Sequence, residues 1–291
     1  MPSLIVKDNA LINASYNLDL VEQRLILLAI IEARQSNKKI TAKDSLTIHA
    51  DSYVQQFNVH KNTAYQALKD ACTSLFARQF SYQERTSKGN IFVKTSRWVS
   101  EIGYANNEAM VSLTFSSAIV PLITQLEKHF TSYELKQVSN LKSAYAVRLY
   151  ELLIAWRNSG KVPVIELQDF RQKIGVIDHE YKLIADFKKR VLDTAIAQIN
   201  EHTDITVNYE QHKQGRIITG FSFTFKFKKP IKAEKQKTLN YAKASDLDTE
   251  KREAYAQFIG YQQRAKLLNE PIENLLTKKE LAQFRKFEFM K

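Results

Sequence analysis

The chain has 291 residues, of which 44% are hydrophobic and 11% aromatic, and its formal net charge is +12. This composition excludes a disordered chain and allows two domains with their own cores. The positive charge indicates a polyanionic partner such as nucleic acid, while no apolar run approaches the roughly 20 residues that span a bilayer. The first residues lack the pattern of a signal peptide. The single cysteine, Cys72, excludes an intrachain disulfide and indicates a reducing compartment, so we expect a protein of the cytosol or nucleoid.

Residues 4–11 predict a short strand or arm, and a buried helix follows. Asp19 and Glu22 have the spacing of a capping box, and residues 25–31 are apolar almost all round. A seven-residue spacing suggests a leucine zipper for dimerisation and involves Leu4, Leu11, Leu18 and Leu25. Because the Asn and Ser residues between them disfavour a continuous helix, we prefer short core contacts as the role of these leucines.

A strand, a helix, a turn and a second helix are predicted between residues 46 and 78. Asp51 or Ser52 caps the first helix, and Lys61 begins the second. The inward stripe of the second helix comprises Ala64, Leu68, Ala71, Cys72, Leu75 and Phe76. Its outward face carries residue types that bind base edges and phosphates. These predicted DNA contacts are Lys61, Asn62, Thr63, Tyr65, Gln66 and Lys69, for which an ordinary solvated helix face is the alternative interpretation.

A hairpin is predicted after this helix. Residues 79–84 and 91–99 alternate as strands around a tip, residues 85–90, that carries Lys88 and Gly89. A third strand at residues 109–115 is expected to complete the sheet, and Ser116 or Ser117 opens a helix toward His129. We include Lys88 among the predicted DNA contacts because it is a cation at a hairpin tip.

The second half opens with the same order of parts and ends with a cationic helix and hairpin. A helix at residues 140–156, a strand at 162–165 and a helix at 167–174 precede a helix whose apolar residues recur every four positions, at Phe187, Val191, Ala195 and Ile199. Lys188, Lys189 and Arg190 crowd the start of that helix, where the helix dipole is already positive, so a phosphate backbone would stabilise them. Beyond Thr203 the period changes to two and predicts a hairpin with a cationic tip.

A basic helix followed by a basic hairpin indicates a winged helix, in which the helix enters the major groove and the wing lies along the backbone. A solvated helix packed on an ordinary hairpin is the alternative for this segment alone. The repeated order of long helix, strand, helix, turn, helix and hairpin indicates an internal duplication, which strengthens the nucleic-acid interpretation of both halves.

Three segments resemble the plasmid replication initiators of the RepB-type (Rep_3) family. They are residues 141–153 (LKSAYAVRLYELL), residues 17–24 (NLDLVEQR), and residues 187–191 (FKKRV) with Ile199-Asn200. The resemblance spans residues 4–228 and implies an α+β fold of tandem winged-helix domains with a mostly helical, basic C-terminal extension. It also implies a bacterial protein that binds repeated origin sites (iterons) in double-stranded DNA.

The resemblance further implies that monomers open the origin and recruit the host initiator and replicative helicase, whereas homodimers joined through the first domain repress the protein's own gene. It places the second reading helix at residues 182–199, with DNA contacts at Lys182, Lys188, Lys189 and Arg190. Lys213 and Arg216 are the implied wing contacts.

We expect three regions: residues 1–131, a winged helix for dimerisation and DNA contact; residues 132–229, a winged helix for the main iteron reading; and residues 230–291, a basic, partly helical tail. The tail predicts helices at residues 248–268, with Tyr255, Phe258, Ile259 and Ala265 on one face, and at residues 271–284. It is interpreted either as a flexible basic extension that helps non-specific binding or as a helix for a partner or for modulating the dimer.

Enzymatic alternatives find little support in the sequence. It has no His-x-His pair, no phosphate-binding G-x-x-x-x-G-K-[ST] loop, and no zinc partner for Cys72. We therefore expect no catalytic residue, metal or cofactor. Tyr145 and Tyr150 are conceivable recombinase nucleophiles but are better explained as core tyrosines. A dimeric winged-helix transcriptional repressor without an initiation role is the main alternative, and a recombinase-type enzyme is the distant one.

Overall fold

The computed structural model describes residues 3–35, 40–124 and 130–228, together with residues 258, 261, 265, 271–287 and 289 of the tail. The chain divides into two compact units, Met1–Lys229 and Pro230–Lys291. In the part of the chain that the structure describes, no helix has the length and apolar character needed to cross a membrane.

The first unit opens with strand β1 (Leu4–Asp8), helix α1 (Asn9–Ile12), strand β2 (Ser15–Tyr16) and helix α2 (Leu20–Gln35). The predicted capping box is confirmed: the Asp19 N–H donates to Glu22 Oε2 and the Glu22 N–H donates to Asp19 Oδ1, both at 2.7 Å. The zipper interpretation is wrong, because the four leucines lie on β1, on α1, in a loop and on α2. Leu11, Leu18 and Leu25 make core contacts instead.

The next elements are strand β3 (Ser45–His49), helix α3 (Ala50–Phe57) and helix α4 (Lys61–Leu75), which confirm the predicted strand, helix, turn and helix. The predicted cap is wrong, because α3 begins at Ala50 with His49 as its N-cap, so Asp51 and Ser52 lie within the helix. Asn58 ends α3 in the left-handed conformation, with φ 48°. Five of the six residues of the predicted inward stripe of α4 are buried, namely Ala64, Leu68, Ala71, Cys72 and Leu75. Phe76 was assigned wrongly, because α4 ends at Leu75 and the Phe76 side chain is 42% exposed.

The four strands that follow are β4 (Gln79–Arg85), β5 (Ile91–Arg97), β6 (Val99–Ala105) and β7 (Met110–Phe115). The prediction that the last of them completes the sheet of the β4–β5 hairpin is wrong. One sheet has the order β2-β4-β5 and another the order β3-β7-β6. Trp98, fully buried between β5 and β6 and packed on Tyr16 and Phe80, fixes the chain where it passes from one sheet to the other.

Helix α5 (Val120–Thr124), strand β8 (Phe130–Glu134) and helix α6 (Lys136–Ser139) complete the first half, and β8 pairs with β1. The helix predicted from Ser116 or Ser117 begins later, at Val120, after a turn in which the Ile119 N–H donates to the Ser116 carbonyl. The end predicted for this helix, His129, lies outside the described residues.

The second half comprises helix α7 (Ala144–Ile154), strand β9 (Lys161–Glu166), helix α8 (Leu167–Ile174), helix α9 (Ile184–Phe187), a π-helical turn (Lys188–Leu192), helix α10 (Asp193–His202), strand β10 (Ile205–Gln214) and strand β11 (Ile217–Phe227). Its sheet has the order β10-β11-β9, which matches β6-β7-β3 of the first half strand for strand. The predicted repeat of parts is therefore confirmed, but the hairpin of the first half that matches β10–β11 is β6–β7 and not the predicted one at residues 79–99, which forms the additional β4–β5.

A buried polar network lies where elements of both halves meet. Arg148 on α7 donates to the carbonyl oxygens of Ile12, Ala14 and Lys173 and to the Glu151 carboxylate. Glu151 also accepts from Lys7 and from Tyr133, both at 2.6 Å. Burial raises the pKa of Glu151, but Lys7 and Arg148 outweigh it and lower this pKa to about 2. Two cations, Lys7 and Arg148, thus share one carboxylate, and the hydrogen bonds of the network connect β1, α7 and α8.

The described residues of the tail form a small aromatic core. Phe258 and Phe284 are buried, and Tyr261, Ile272, Leu276, Phe287 and Phe289 pack against them. A 3-10 turn (Ile272–Leu275) precedes helix α11 (Lys278–Lys286), so the second tail helix begins later than the predicted residue 271. The reason is a capping box, in which the Thr277 N–H donates to Glu280 Oε2 at 2.9 Å. Phe258 and Ala265 are buried as predicted, while Tyr255 and Ile259 lie outside the described residues.

Candidate nucleic-acid interface

The basic helix of the second half packs as its apolar period predicts. Phe187, Val191, Ala195 and Ile199 are fully buried along α9, the π-helical turn and α10. Lys189 and Arg190 lie within the π-helical turn, and both are exposed. Such turns occur frequently at functional sites. The structure thus presents two cations of the predicted site on the solvent side of a helix whose other side is anchored in the core.

Lys182 lies before the helix, which begins at Ile184 rather than at the predicted residue 182, and it lines the same shallow hollow of about 550 Å³ as Arg190. Arg190 Nε is 3.9 Å from Asp186 Oδ1, and both side chains are solvent-exposed to a large extent. An ion pair of this kind contributes little energy, so it leaves the guanidinium available for a phosphate.

Lys188 has a different environment from its two neighbours. It is half-buried, its Nζ donates to Gln211 Oε1 of strand β10 at 2.8 Å, and it lies 5.9 Å from the centroid of the Tyr209 ring. The Tyr209 hydroxyl in turn donates to Asp193 Oδ1 at 3.0 Å. The structure therefore directs this lysine toward the wing.

The wing of the second half is the β10–β11 hairpin. The predicted turn comprised residues 213–216, but strand β10 extends to Gln214, so the turn is Gly215-Arg216, and Gly215 has φ 61°. Lys213 and Arg216 are both exposed at this tip. The tip therefore presents two cations that could contact a DNA backbone beside the reading helix.

The first turn of α4 presents exposed polar side chains in the first half. Lys61, Asn62 and Thr63 are exposed, and the Asn62 N–H donates to His60 Nδ1 at 3.3 Å. Lys61 Nζ is 3.4 Å from Asp51 Oδ1, again with both side chains exposed. Gln66, also exposed, donates to Asp70 at 2.7 Å.

Two further predicted contacts on α4 face the wing of the first half, the β6–β7 hairpin. The Tyr65 hydroxyl and Lys69 Nζ donate to Asn106 Oδ1 at 2.7 Å and 3.2 Å. Lys69 Nζ also lies 4.2 Å from the centroid of the Tyr104 ring. Sequence reasoning missed Tyr104 and Asn106, because they become neighbours of α4 only through the pairing of β6 with β7.

Lys88 is exposed at the tip of the β4–β5 hairpin, next to Gly89 with φ 82°. This hairpin belongs to the sheet β2-β4-β5 and is therefore not the wing of the first half, which corrects the placement implied by the sequence. The true wing has the tip Asn106–Glu108, which carries no cation. Within the described ranges, no three His, Cys, Asp or Glu side chains are grouped as ligands for a metal ion.

A helix–turn–helix followed by a three-stranded sheet with a hairpin wing, present twice in one chain, defines a tandem winged-helix protein. Family models described as Initiator Replication protein, WH1, and Initiator Rep protein, WH2, match residues 4–154 and 166–225. Together they cover more than half of the chain, and the chain belongs to this replication initiator family. The predicted family and the predicted α+β tandem winged-helix fold are thus confirmed.

The chain is also similar to individual proteins. The chain is 25% identical over 223 residues to a replication initiation protein of Escherichia coli, a match that covers 74% of this chain and 67% of that one. It shares its fold with the Pi initiator protein, crystallised in complex with iteron DNA, with a TM-score of 0.62 and 21% identity over 78% of this chain and 98% of that one. The WH1 domain of the MSBI1.176 replication protein, isolated from a multiple sclerosis patient, is 64% identical over 38% of this chain and 81% of its own, with a TM-score of 0.32.

Proposed function

We propose that this protein initiates replication of a bacterial plasmid by binding repeated sites, the iterons, in double-stranded DNA at the origin. The observation that carries the proposal is the pair of winged helices, each of which presents an exposed polar or basic helix beside a hairpin wing. The family and the Pi initiator protein, whose described complex contains iteron DNA, support it.

The two kinds of exposed side chain suggest a division of labour in binding. Lys189, Arg190 and the wing cations would neutralise phosphates, which supplies affinity and makes it fall with rising salt. The amide side chains of Asn62 and Gln66 on α4 are suited to base edges, where they would select sequence. Because the two domains are tethered, the second binds at a high effective concentration once the first is bound.

We assign the domains as residues 1–131, for dimerisation and DNA contact, residues 132–229, for the main iteron reading, and residues 230–291, a basic tail. The concentration of exposed cations on the π-helical turn and on the β10–β11 tip supports a leading role of the second domain in binding. The Lys-rich composition of the tail supports a role in non-specific DNA binding.

We further propose that monomers initiate replication and that homodimers joined through the first domain repress the gene of the protein. The edge strand β5 supports such a dimer, because three consecutive apolar residues on it are exposed: Ile91 62%, Phe92 53% and Val93 59%. An unpaired apolar edge is a template for pairing with a second copy.

The dimer proposal can be tested with a charge on that edge. Phe92→Lys should abolish the dimer in sedimentation velocity while leaving monomer binding to direct repeats intact. Val164→Lys places the same charge on an exposed position of β9, an edge strand of the second half, and should leave the dimer unchanged. Loss of the dimer in both variants, or in neither, would contradict the assignment to β5.

The proposed mechanism is non-enzymatic and cytoplasmic: binding helps to open the origin and recruits the host initiator and replicative helicase. The two tyrosines considered as nucleophiles have structural partners that support this view. Tyr150 is buried and donates to Asp204 at 3.0 Å, and Tyr145 donates to Glu180 at 3.4 Å. Burial raises the pKa of both hydroxyls, which disfavours the phenolate that a nucleophile needs.

DNase footprinting on the DNA upstream of the protein's own gene, with the oligomeric state measured in the same buffer, tests the proposal. We expect several direct repeats to be protected by monomer. Protection of one inverted repeat by dimer, with direct repeats untouched, would instead identify a dimeric repressor, a function that the apolar β5 edge would also serve. A covalent protein–DNA adduct would identify a recombinase-type enzyme.

A further inference from the structure

Each winged helix contains a contact between its reading helix and its wing that has the same chemistry. In the first half, the Lys69 cation lies on the Tyr104 ring and donates to the amide oxygen of Asn106, which also accepts from Tyr65. We name these four residues the first clasp. Tyr65 and Lys69 come from α4, and Tyr104 and Asn106 come from β6 and the wing tip.

The second clasp consists of Lys188, Asp193, Tyr209 and Gln211. The Lys188 cation lies above the Tyr209 ring and donates to the amide oxygen of Gln211, while the Tyr209 hydroxyl donates to Asp193. Burial, and then the hydrogen bond to Asp193, raise the pKa of Tyr209 to about 12. The hydroxyl therefore remains a donor at neutral pH.

The two clasp lysines differ from the other predicted cationic contacts in their exposure. Lys69 and Lys188 are half-buried, whereas the remaining ones are exposed to solvent: Lys61, Lys88, Lys182, Lys189, Arg190, Lys213 and Arg216. Each of the two lysines donates to an amide oxygen and lies beside an aromatic ring, and these two contacts hold its ammonium group at the wing. The geometry therefore favours a structural use of these two charges.

The position of each lysine along its helix differs between the halves. Lys69 lies in the middle of α4, whereas Lys188 is the first residue of the π-helical turn. Similar side chains thus connect helix and wing from two different helical positions. What the two arrangements share is the connection itself, which restrains the wing relative to the helix.

On this basis we propose that Lys69 and Lys188 are positioning residues, which fix the angle between reading helix and wing so that both reach one DNA site at once. The proposal rests on the proposed function in DNA binding, where the helix enters the major groove and the wing follows the backbone. A wing held in place before binding loses less conformational freedom when it binds, and affinity rises accordingly.

Salt dependence separates a positioning lysine from a lysine that contacts a phosphate. The variants are Lys188→Met and, as the matched control from the same helical turn, Lys189→Met. Affinity for the footprinted DNA is measured over a range of salt concentrations, after circular dichroism has shown that both variants are folded. Lys189→Met should reduce the slope of log K against log salt by about 0.9, as expected for one lost phosphate contact. Lys188→Met should weaken binding roughly threefold to tenfold with the slope unchanged, which corresponds to a coupling typical of residues in contact.

A double-mutant cycle provides the second readout. Lys188→Met and Gln211→Leu should be non-additive, because each breaks the same contact, whereas Lys189→Met and Gln211→Leu should be additive. In the first half, Lys69→Met is compared with Lys61→Met by the slope of log K against log salt. A slope reduced by about 0.9 in Lys188→Met, together with additivity toward Gln211→Leu, would overturn the proposal and make Lys188 a phosphate contact.

Failure of the proposed function would appear differently. In that case the wild-type protein would protect no repeats in the footprint. The salt slopes and the double-mutant cycles would then be measured on a random-sequence duplex, because phosphate contacts also operate there. Non-additivity between Lys188 and Gln211 there would support the clasp even though the initiator role had failed. Additivity there would overturn the clasp independently of that role.

Discussion

In the second half of the protein the wing tip carries Lys213 and Arg216, whereas the equivalent tip of the first half, Asn106–Glu108, has a carboxylate and no cation. The first half instead has an additional hairpin, β4–β5, with an apolar edge. The two halves share one strand order and one core. The same scaffold can thus concentrate charge for a nucleic-acid backbone in one copy and offer an edge for another protein chain in the other.

The largest expected effect concerns the core that the halves share. Arg148→Met would leave the three carbonyl oxygens and part of the Glu151 carboxylate without their buried partner, so we expect a loss of about 3–5 kcal/mol in the free energy of unfolding. Urea unfolding is followed by circular dichroism and by the fluorescence of Trp98 in a Trp156→Phe background. Arg148→Met should lower the urea midpoint of both signals together. Arg157→Met, at an exposed position, should change neither midpoint. Separate transitions would show that the halves unfold independently.

The same network should make the protein sensitive to acid. The pKa of Glu151 is lowered from 4.5 to about 2 in the folded protein, since Lys7 and Arg148 outweigh the opposing effect of burial. Its contribution to stability is therefore complete above about pH 4.5 and is lost as the pH falls toward 2. The unfolding free energy of the wild type should fall in this range, and that of Glu151→Gln should fall less. Glu108→Gln, at an exposed site, should lose as much unfolding free energy as the wild type over this range. If all three proteins lost the same amount, Glu151 would not be the source of the acid sensitivity.

A smaller effect compares the reading helices. Lys189→Ala with Arg190→Ala should reduce the salt slope of DNA binding by about 1.8, because two phosphate contacts are lost. Lys61→Ala with Asn62→Ala, on the exposed first turn of α4, should reduce the slope by about 0.9 at most. Fluorescence anisotropy titrations over a range of salt concentrations provide the slopes. An unchanged slope in a folded Lys189→Ala, Arg190→Ala protein would mean that the reading helix of the second half is placed wrongly.

The smallest effect compares the two cationic hairpin tips. Arg216→Ala removes one wing cation and should reduce the salt slope by about 0.9. Lys88→Ala should change the slope less, because the β4–β5 hairpin belongs to a different sheet from the wing. Equal slopes for the two variants would show that both hairpins contact the DNA backbone to the same extent.

Local patterns in the sequence predicted much of this fold because they depend on neighbouring residues. The four-residue spacing of Phe187, Val191, Ala195 and Ile199 was sufficient to find a helix and its buried face. The exposed cations at Lys189, Arg190 and Arg216 were found for the same reason, since a helix face and a hairpin tip are short-range features.

Partners that are distant in the chain could not be predicted in this way. Strand β7 pairs with β3 and β6 rather than with β5, and the fully buried Trp98 lies where the chain passes from β5 to β6. Lys69 and Lys188 stay predicted DNA contacts by residue type and helix face. Their contacts within the protein, with Asn106 and Gln211, could not be predicted, because they arise only when the wing folds back against the helix.

The π-helical turn at Lys188–Leu192 has a consequence for the length of the reading helix. In a regular α-helix, steps of four residues drift by about 40° each, so a stripe built only from such steps would leave the core. The buried residues Phe187, Val191, Ala195 and Ile199 are each four positions apart. If one residue were removed from this turn, the three spacings would become three, four and four residues. A regular α-helix places residues with these spacings on one face. The helix thus contains one residue more than its buried face requires. That surplus residue falls within the cationic run, where the chain could have been lengthened without any change in the core.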